Sequence, residues 1–517
     1  MIRKGLNLRV VLTVILMLLF VQCGCQKTEQ QKTNPKTTAI MQKTTGRTSA
    51  GKSATAPAST AKSKEDVAQP EGNGDDHPDT NTEGSEPEKT IGAPFEGLKF
   101  DPDIDLQGKS LVWAEFGPAP VKGKSVLDDI RILTWEKAEK KFNCKIEYKE
   151  AGVGAVAVPN LISSVLAGVK FADFYSVSLA FLQLYTTNCI IPVDKYIDFS
   201  HSKWESVGQL TLLPDNKHYS FNPDVTKQYQ VTYYHKGIFE REGLPDILEL
   251  SKAKAWNWDS LLEFAKICTK DFNGDGVLDQ WGVGDGASTL FNAILYSNNV
   301  AIVNIREGQF VCDLYRPEAL RAMQFYQQLK FVEKVSNIKS GPGVANDEFY
   351  KNTVAMNFGS VFTSMQYLQG GIPIGQAPYP TGPDSRNDTI ISTNQVMWNI
   401  PLGATLDPGD IITVVLYANY NDPDDPEIYI DPYKSFQEVS MNREGLGGAA
   451  LNTQDEIDFF FEYQKNLKVR YDFVQSTKLN TIINPKVITP IRNGDPVNST
   501  VTSAQSQIDE FLNNIYK

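Results

Sequence analysis

The stretch Ser110-Leu111-Val112-Trp113 is rich in residues that favour β-strands, and two similar runs follow at Lys145-Ile146-Glu147-Tyr148 and Ala172-Asp173-Phe174-Tyr175. Between the first two runs, Ser125 and Asp128 have the spacing of a helix-capping signal. Apolar residues at helical spacing follow it, and a second helical segment precedes the third run. Strands and helices that alternate in this way favour a mainly parallel sheet with helices on both faces. The stretch therefore indicates the α/β class.

Helical periodicity continues to the end of the chain. Apolar residues recur at helical spacing in four segments: Ile132, Trp135, Ala138 and Phe142; Leu161, Val165 and Leu166; Leu261, Phe264, Ala265 and Cys268; and Ile508, Phe511, Leu512 and Ile515. Roughly 425 residues of this pattern exceed what one hydrophobic core supports. We therefore expect two α/β lobes.

The composition excludes several classes of protein. The chain has 517 residues, a formal net charge of −12 and 41% hydrophobic residues, with four His and six Cys. The acidic balance argues against a general nucleic-acid binder, because such proteins need basic surface to displace counterions. So few cysteines in so long a chain also exclude a disulfide scaffold. The four later cysteines allow three pairings, and the sequence does not choose among them.

The first 24 residues have the features of an export signal. Three basic residues precede the apolar run Val10–Val21, which is shorter than a membrane-spanning helix requires. The segment after it resembles a bacterial lipobox, in which one cysteine becomes the lipid-modified first residue of the mature protein. We favour Cys25 because Gly24 precedes it, with Cys23 as the alternative. Plain secretion with two incidental cysteines is the competing interpretation.

Residues 25–92 are interpreted as a lipid-anchor cysteine followed by a disordered linker. From Gln26 to Gly92 the chain has no Phe, Tyr or Trp, so it cannot bury enough surface to offset its conformational entropy. Eight basic residues and one Glu lie in Lys27–Lys64, and nine acidic residues lie in Glu65–Glu88. The segment Gly46–Ser53 matches the P-loop pattern, but it lacks the flanking strand and helix that phosphate binding needs. We interpret that match as chance.

The folded part resembles the extracellular sugar-binding lipoproteins of ABC importers, a family that includes the maltodextrin-binding proteins. The resemblance is carried by Ser110–Trp113; Ala172–Tyr175 with Cys189–Asp194; Thr232–Pro245 with Trp256–Asp259; Val354–Met356 with Gly359 and Ala377–Pro380; and Asn399–Gly403. The segment Thr232–Pro245 is the most specific, and residues 105–410 are mostly covered. The last hundred residues match loosely, and Asp422–Pro432 has the character of an insertion.

The resemblance implies a two-lobed, periplasmic-binding-protein-like fold of type II. We expect the main parts of the lobes at 93–228 and 229–390, a return to the first lobe at 391–425, and mostly second lobe with C-terminal helices at 426–517. Crossings are expected near Gln228–Thr232, near Ile390–Met397 and after Asn419. The ligand would lie in the cleft between the lobes, at the carboxyl ends of strands, and binding would close the hinge.

The family's pattern, matched residue by residue, nominates a set of ligand contacts. These candidates are Trp113, Glu115, Phe116, Tyr175, Ser176, Ser178, Tyr229, Tyr233, Phe362 and Trp398. For each of the aromatic residues the competing interpretation is packing in the core or at a hinge. By resemblance, the partners are a carbohydrate ligand, the permease subunits of an ABC transporter, and the membrane through the lipid anchor. The expected location is the outer face of a Gram-positive cell membrane, with the protein a monomer.

The sharpest chemical motif is Asp271-Phe-Asn-Gly-Asp-Gly-Val-Leu-Asp279, which reproduces nine positions of an EF-hand calcium loop. The candidate ligands are Asp271, Asn273, Asp275, Val277 through its carbonyl, and Asp279. Gly282 occupies the twelfth position, where a bidentate Glu belongs. The hypotheses are a structural calcium ion and a polar turn without metal, and no other cofactor is expected.

Catalytic motifs are sparse. No H-E-x-x-H or G-x-S-x-G sequence occurs, and the histidines lack metal-ligand spacing. The 62 acidic residues permit some carboxylate pair for glycoside hydrolysis, but this observation has no specificity. The main interpretation is a solute receptor and not an enzyme. The alternatives are a receptor for a peptide or another polar solute, including a sensor partner of a membrane kinase, and a secreted carbohydrate-active enzyme.

Overall fold

The computed structural model describes residues 92–152, 154–177, 181–223, 230–286, 289–336, 349, 351–360, 371–386, 389–392, 395–441, 451, 453–474 and 477–515. The strands are β1 (Ser110–Glu115), β2 (Lys145–Glu150), β3 (Phe174–Val177), β4 (Gln230–His235), β5 (Trp281–Val283), β6 (Val303–Arg306), β7 (Gln309–Cys312), β8 (Val354–Ser360), β9 (Ile374–Pro378), β10 (Thr389–Ser392), β11 (Met397–Asn399) and β12 (Lys468–Tyr471). The signal, the anchor cysteines Cys23 and Cys25, the P-loop-like segment and most of the linker lie outside these residues.

The helices alternate with the strands. They are α1 (Val126–Lys141), α2 (Gly154–Leu166), α3 (Phe181–Thr186), α4 (Glu205–Thr211), α5 (Lys236–Glu242), α6 (Ile247–Lys252), α7 (Trp258–Cys268), α8 (Thr289–Ser297), α9 (Pro317–Gln327), α10 (Pro408–Ala418), α11 (Pro432–Met441), α12 (Gln454–Asn466), α13 (Asn480–Ile483), α14 (Thr489–Arg492) and α15 (Val497–Asn514). Two π-helical turns, Gln328–Val332 and Asn484–Ile488, extend α9 and link α13 to α14.

The first sheet has the strand order β11-β3-β1-β2. Strand β1 is parallel to β2 and to β3, so Trp113 pairs with Tyr148 on one side and with Phe174 on the other. The carboxyl ends of β1 and β3 therefore lie at the same edge of the sheet. This arrangement confirms the parallel βαβα unit that the opening stretch predicts.

Helix α1 forms as its sequence predicts. The Ser125 hydroxyl accepts a hydrogen bond from the Asp128 amide at 3.0 Å, which satisfies one of the unpaired amides of the first turn. Ala138 and Phe142 are buried, and Trp135 packs against Trp113 with ring centroids 5.3 Å apart. Helix α1 therefore covers one face of the first sheet. It also brings Arg131 to the end of β1.

The second sheet, with the order β5-β8-β4-β9, is mixed and not mainly parallel. Strand β4 is antiparallel to β8 and to β9, whereas β5 and β8 are parallel. The expectation of mainly parallel strands is therefore wrong for this lobe. The physical reason is that β4 is entered from the first lobe, so no βαβ crossover determines its direction.

The described strands and helices show that the chain passes between the two lobes at least three times, and the first two passages include residues outside the described ranges. It leaves the first sheet after Asn222 and enters the second at β4, then returns between β10, which pairs with β12, and β11, which pairs with β3. Helix α10 packs on α1 of the first lobe, and the following helix α11 packs on α12 against the second sheet. The chain therefore crosses a third time after Asn419.

The cores contain most of the residues that helical periodicity selects, but Leu166 is exposed because it is the last residue of α2. Helix α7 buries Leu261, Phe264, Ala265 and Cys268, and α15 buries Ile508 and Leu512. The later cysteines are buried free thiols, namely Cys144, Cys189, Cys268 and Cys312. Burial raises the pKa of the Cys144 thiol to about 11 and that of Cys268 to about 12. In the described part of the chain, no helix is both long and apolar enough to span a membrane.

A buried ion cluster ties the end of β5 to the helices behind it. The Asp285 carboxylate lies 2.9 Å from Lys330 Nζ and accepts a hydrogen bond from the Tyr326 hydroxyl at 2.6 Å. Arg492 Nη2 lies 3.4 Å from the other carboxylate oxygen. Asp285 and Lys330 are 1% and 3% exposed, so each charge depends on its partners for stabilisation.

Lys330→Met should lower the free energy of unfolding by about 3–5 kcal/mol, because it leaves Asp285 buried with an incomplete set of counter-charges. Chemical denaturation monitored by circular dichroism measures this change. Lys465→Met is the matched control, since Lys465 pairs with Glu462 at 2.7 Å on the surface of α12. It should leave the unfolding free energy nearly unchanged. Equal effects of the two substitutions would contradict the role of the buried cluster.

Candidate functional site

A cavity of about 400 Å³ lies at the carboxyl ends of β1 and β3. Its lining residues are Glu115, Phe116, Ser176, Asn222, Val396, Trp398 and Asn419. Ligands of open α/β sheets bind at this edge, because the loops that follow parallel strands converge there. Four of the seven residues, namely Glu115, Phe116, Ser176 and Trp398, are candidates from the sequence, although their contact with a ligand stays a prediction.

The returning strand β11 builds one wall of the cavity. It pairs antiparallel with β3, so Trp398 lies opposite Ser176 across the backbone ladder. The Phe221 amide donates a hydrogen bond to the Trp398 carbonyl at 3.0 Å. These two sets of backbone bonds bring together three segments that are distant in the sequence.

Two asparagines and a valine complete the lining, and the sequence analysis missed all three. Asn222 Nδ2 donates to the Val396 carbonyl at 3.1 Å, and Asn419 Nδ2 donates to the Val415 carbonyl at 2.8 Å. Asn222 lies shortly before the first crossing, and Asn419 lies at the end of α10, before the third. That position is the signal that could have nominated them, because crossing segments border the cleft.

The aromatic residues of the cavity differ in exposure. Trp398 is 7% exposed and packs edge-on against Phe174 and Phe221, with ring centroids 5.9 and 6.0 Å away. Phe116 is 58% exposed, in the loop after β1. An exposed aromatic ring beside a polar cavity offers an apolar surface to one face of a ligand. Phe116 is therefore the most accessible aromatic side chain of the lining.

One charged side chain lines the cavity among the described residues. Glu115 Oε2 accepts a hydrogen bond from Arg131 Nη2, which reaches it from α1. The Glu115 side chain is 16% exposed and that of Arg131 is 31% exposed. The guanidinium therefore neutralises the carboxylate from behind, since Arg131 is not part of the lining.

Three other aromatic candidates are buried and do not reach the cavity. Trp113 is fully buried between Trp135 and Phe174, Tyr175 is 1% exposed in the core, and Tyr233 is fully buried in β4. They do not line this cavity, and their contact with a ligand stays a prediction. Tyr175 is adjacent to Ser176 in β3, so their side chains point to opposite faces of the sheet. Trp113 shares a face with Glu115 but lies two residues earlier in β1, where Trp135 of α1 covers it. Burial raises the pKa of the Tyr175 hydroxyl well above its usual value.

Three further candidates, Ser178, Tyr229 and Phe362, lie outside the described residues. Their place in the site stays a prediction. They belong to the segment after β3, the first crossing and the segment after β8.

Two histidines contact polar side chains in other parts of the fold. His218 Nδ1 lies 2.6 Å from Asp194 Oδ1, and its ring stacks on Phe199 with centroids 3.8 Å apart. His235 Nε2 lies 2.6 Å from Asn352 Oδ1, and burial lowers the pKa of His235. Neither histidine lines the cavity.

Solved structures share this architecture. An extracellular solute-binding protein from Staphylococcus aureus, in complex with maltose, is 13% identical with a TM-score of 0.55, and the match covers 81% of this chain and all of that one. UspC from Mycobacterium tuberculosis is 12% identical with a TM-score of 0.53, over 78% of this chain and all of that one. The ABC substrate-binding protein Lmo0181 from Listeria monocytogenes, in complex with cycloalternan, is 14% identical with a TM-score of 0.51, over 78% and 99% of the two chains.

The chain has the two-lobed fold of the extracellular solute-binding proteins. The resemblance seen in the sequence is therefore confirmed at the level of the fold. No family model matches the sequence, and no curated protein sequence matches it.

In this solute-binding fold, the loop Asp271–Asp279 connects α7 to β5. The Asp271 carboxylate accepts hydrogen bonds from the amides of Gly274 and Gly276 at 2.7 and 2.8 Å, and these bonds lower its pKa. Asn273 accepts from the Asp275 amide, and Asp275 from the Val277 amide, at 2.8 and 2.7 Å. The side-chain oxygens thus stabilise the turn through backbone amides.

The loop differs from a complete EF-hand loop at its twelfth position. Among the residues that the structure covers, no three acidic, His or Cys side chains converge so that they could hold a metal ion. Gly282, at the twelfth position, lies in β5, where a Cβ would come within 2.2 Å of the Ala265 carbonyl oxygen. A Glu side chain has no room there. Calcium binding by Asp271, Asn273, Asp275, Val277 and Asp279 stays a prediction.

Calcium binding predicts that the wild-type protein unfolds at a higher temperature in calcium chloride than in EDTA, because an ion bound only by the folded state stabilises it. The same comparison on Asp275→Ala should show no difference between the two conditions. Differential scanning calorimetry provides the measurement. A wild-type midpoint that is equal in both conditions would show that the loop folds without a cation.

Proposed function

We propose that this protein is a membrane-anchored extracellular solute-binding protein that captures a carbohydrate and delivers it to the permease of an ABC transporter. The observation that carries the proposal is the cavity at the strand ends. Its lining combines the exposed ring of Phe116 with the carboxylate of Glu115, the hydroxyl of Ser176 and the amides of two asparagines. Aromatic faces pack on the apolar C–H surfaces of sugar rings, and oxygen and nitrogen atoms bond the hydroxyls. Two of the structurally similar proteins are in complex with maltose and with cycloalternan.

The size of the cavity supports a small ligand or one end of a longer one. Its volume of about 400 Å³ is within the usual range of small-molecule sites. Further contacts from the second lobe would come from the segments that hold Tyr229 and Phe362, which lie outside the described residues. An oligosaccharide that extends from the cavity would meet them when the hinge closes.

The lipid anchor, the export signal and the permease partner follow from the sequence and from the resemblance. The anchor at Cys25 would hold the receptor at the outer face of the membrane. The linker at 26–92 would give it reach, since a flexible chain of that length spans roughly 45 Å on average. The basic half of this linker lies next to the anchor, where anionic lipid attracts it.

The cavity supports binding rather than turnover. Hydrolysis of a glycosidic bond ordinarily uses two carboxyl groups on either side of the bond. The cavity lining in the described part of the chain contains one carboxylate, Glu115, and it is paired with Arg131. A receptor that releases its ligand unchanged is the function that this lining fits.

Phe116→Ala should weaken binding of the sugar about tenfold, because it removes the exposed aromatic surface of the cavity. Isothermal titration calorimetry of the purified full chain measures the affinity, with maltose as the first probe and a panel of neutral oligosaccharides after it. Phe272→Ala is the matched control, since Phe272 is 60% exposed but lies in the loop at 271–279. It should leave the affinity unchanged.

The outcomes distinguish the alternatives. An oligopeptide that stabilises the protein where no sugar does would favour a peptide receptor. Cleaved products recovered from a bound oligosaccharide would favour an enzyme. Equal affinity of Phe116→Ala and the wild type for a bound sugar would place the site outside this cavity.

Cys25→Ala should release the protein from the membrane fraction into the medium and abolish labelling by a radioactive fatty acid. Cys23→Ala should leave both the labelling and the membrane association intact, because Cys23 lies before the expected cleavage point. The reverse result would assign the anchor to Cys23. If the fatty acid labels neither the wild-type protein nor the two variants, the protein is secreted without a lipid anchor.

A further inference from the structure

Glu115 is bound by Arg131, whose guanidinium packs against two tryptophan rings. Arg131 comes from α1, and its guanidinium carbon lies 4.8 Å from the ring centroid of Trp135 and 5.9 Å from that of Trp113. The two indole rings are themselves packed together, with centroids 5.3 Å apart. A guanidinium over aromatic faces is stabilised by the ring quadrupoles and loses side-chain freedom. Arg131 is therefore a fixed donor rather than a mobile surface cation.

This contact occupies only part of the Glu115 carboxylate. Arg131 Nη2 donates to Oε2, and no described residue donates a hydrogen bond to Oε1. An ionised carboxylate has only acceptor sites. Since Glu115 lines the cavity, Oε1 is an acceptor that remains for a ligand.

Asn419 adds a second acceptor at the end of α10. Its Nδ2 donates to the Val415 carbonyl at 2.8 Å, one turn back along the helix. The amide is thereby oriented, and its Oδ1 accepts no hydrogen bond from a described residue. Glu115 and Asn419 both line the cavity, so it has two oriented acceptors, Oε1 of Glu115 and Oδ1 of Asn419.

The described lining contains no Lys, Arg or His that could neutralise an anion. Arg131 is the nearest cation by its contact with Glu115, but it lies behind the carboxylate and outside the lining. A ligand carboxylate or phosphate in this cavity would lose hydration and would find no cation in the described lining to bond it. A hydroxyl group or an ammonium group would instead donate to the two acceptors.

We propose that Arg131 is a positioning residue that directs Glu115 into the cavity, and that the cavity thereby selects an uncharged, hydroxyl-rich ring and rejects sugars that carry acidic groups. This inference rests on the proposed function and narrows its substrate class to neutral saccharides. It also gives Trp113 and Trp135 an indirect role, because they hold the guanidinium that orients Glu115.

The test uses two chemically matched probes. One is a library of neutral oligosaccharides, and the other is the same library after its primary hydroxyl groups have been oxidised to carboxylates. The purified full chain is incubated with each, and bound species are measured by equilibrium dialysis and mass spectrometry. The wild type should bind neutral members at least about tenfold more tightly than their oxidised counterparts.

Glu115→Gln should bind neutral oligosaccharides about tenfold more weakly and should lose most of the preference over the oxidised library, because the amide can also donate to a carboxylate. A general loss of stability would lower both affinities without changing their ratio. Equal wild-type affinity for the two libraries, or an unchanged preference in Glu115→Gln, would overturn the inference. Binding of oxidised members alone would overturn it too, while leaving a carbohydrate receptor in place.

Arg131→Met should weaken neutral binding about tenfold, because Glu115 loses the contact that orients it. Arg131→Lys keeps a cation but loses the planar guanidinium that packs on the two tryptophans, so its affinity should lie between those of Arg131→Met and the wild type. Lys137→Met is the control on the same helix, since Lys137 pairs with Asp425 and Glu427 and does not line the cavity. It should bind as the wild type does.

Full affinity in Arg131→Met would show that Glu115 needs no positioning residue and would overturn that part of the inference. Where Arg131→Met fails to fold, full wild-type affinity in a folded Arg131→Lys would have the same effect, because Lys cannot reproduce the stacked guanidinium. Failure of both libraries to bind the wild type would contradict the proposed carbohydrate function itself, and the inference would fall with it.

Discussion

The pairing of β11 with β3 is the constraint on which the site depends. Three residues of the returning chain, Met397–Asn399, add to the first sheet and lie antiparallel to β3. Their backbone bonds place Trp398 opposite Ser176, and the Phe221 amide closes the other side of the strand. Without this short strand, the cavity would have only the ends of β1 and β3. A few backbone hydrogen bonds thus determine which distant side chains share one wall.

The electrostatics of the cavity follow from a second layer of residues. Glu115 contributes a negative charge, and Arg131 balances it from outside the lining. Trp113 and Trp135 pack against this guanidinium. Trp113, which the family's pattern nominates as a ligand contact, therefore contacts Arg131, the partner of Glu115. Trp113 illustrates why a correct family position does not establish a contact. Its strand places it one step from the cavity, but its side chain faces α1.

The second lobe uses buried polar groups for a different purpose. Asp472 is fully buried and accepts hydrogen bonds from the amides of Ile302, Val303 and Val474 at 2.8 to 3.0 Å. Burial raises its pKa to about 6, and these amide bonds oppose the shift. Together with the Asp285–Lys330 pair, Asp472 ties loops to the core where no regular backbone ladder is present. Such groups make the lobe depend on a small number of complete polar networks.

The sequence by itself determined the class of fold, the start of α1 and the buried faces of α7 and α15. These features depend on local spacing, namely the period of a helix, a capping residue and a family motif that runs through consecutive positions. It also nominated Glu115, Phe116, Ser176 and Trp398, because they follow or lie on strands that end at one edge. The mixed second sheet, the burial of Trp113, Tyr175 and Tyr233, and the contribution of Asn222, Val396 and Asn419 were decided only by the tertiary structure. Strand direction after a crossing and the packing of distant segments depend on contacts between residues far apart in the chain, which no local pattern records.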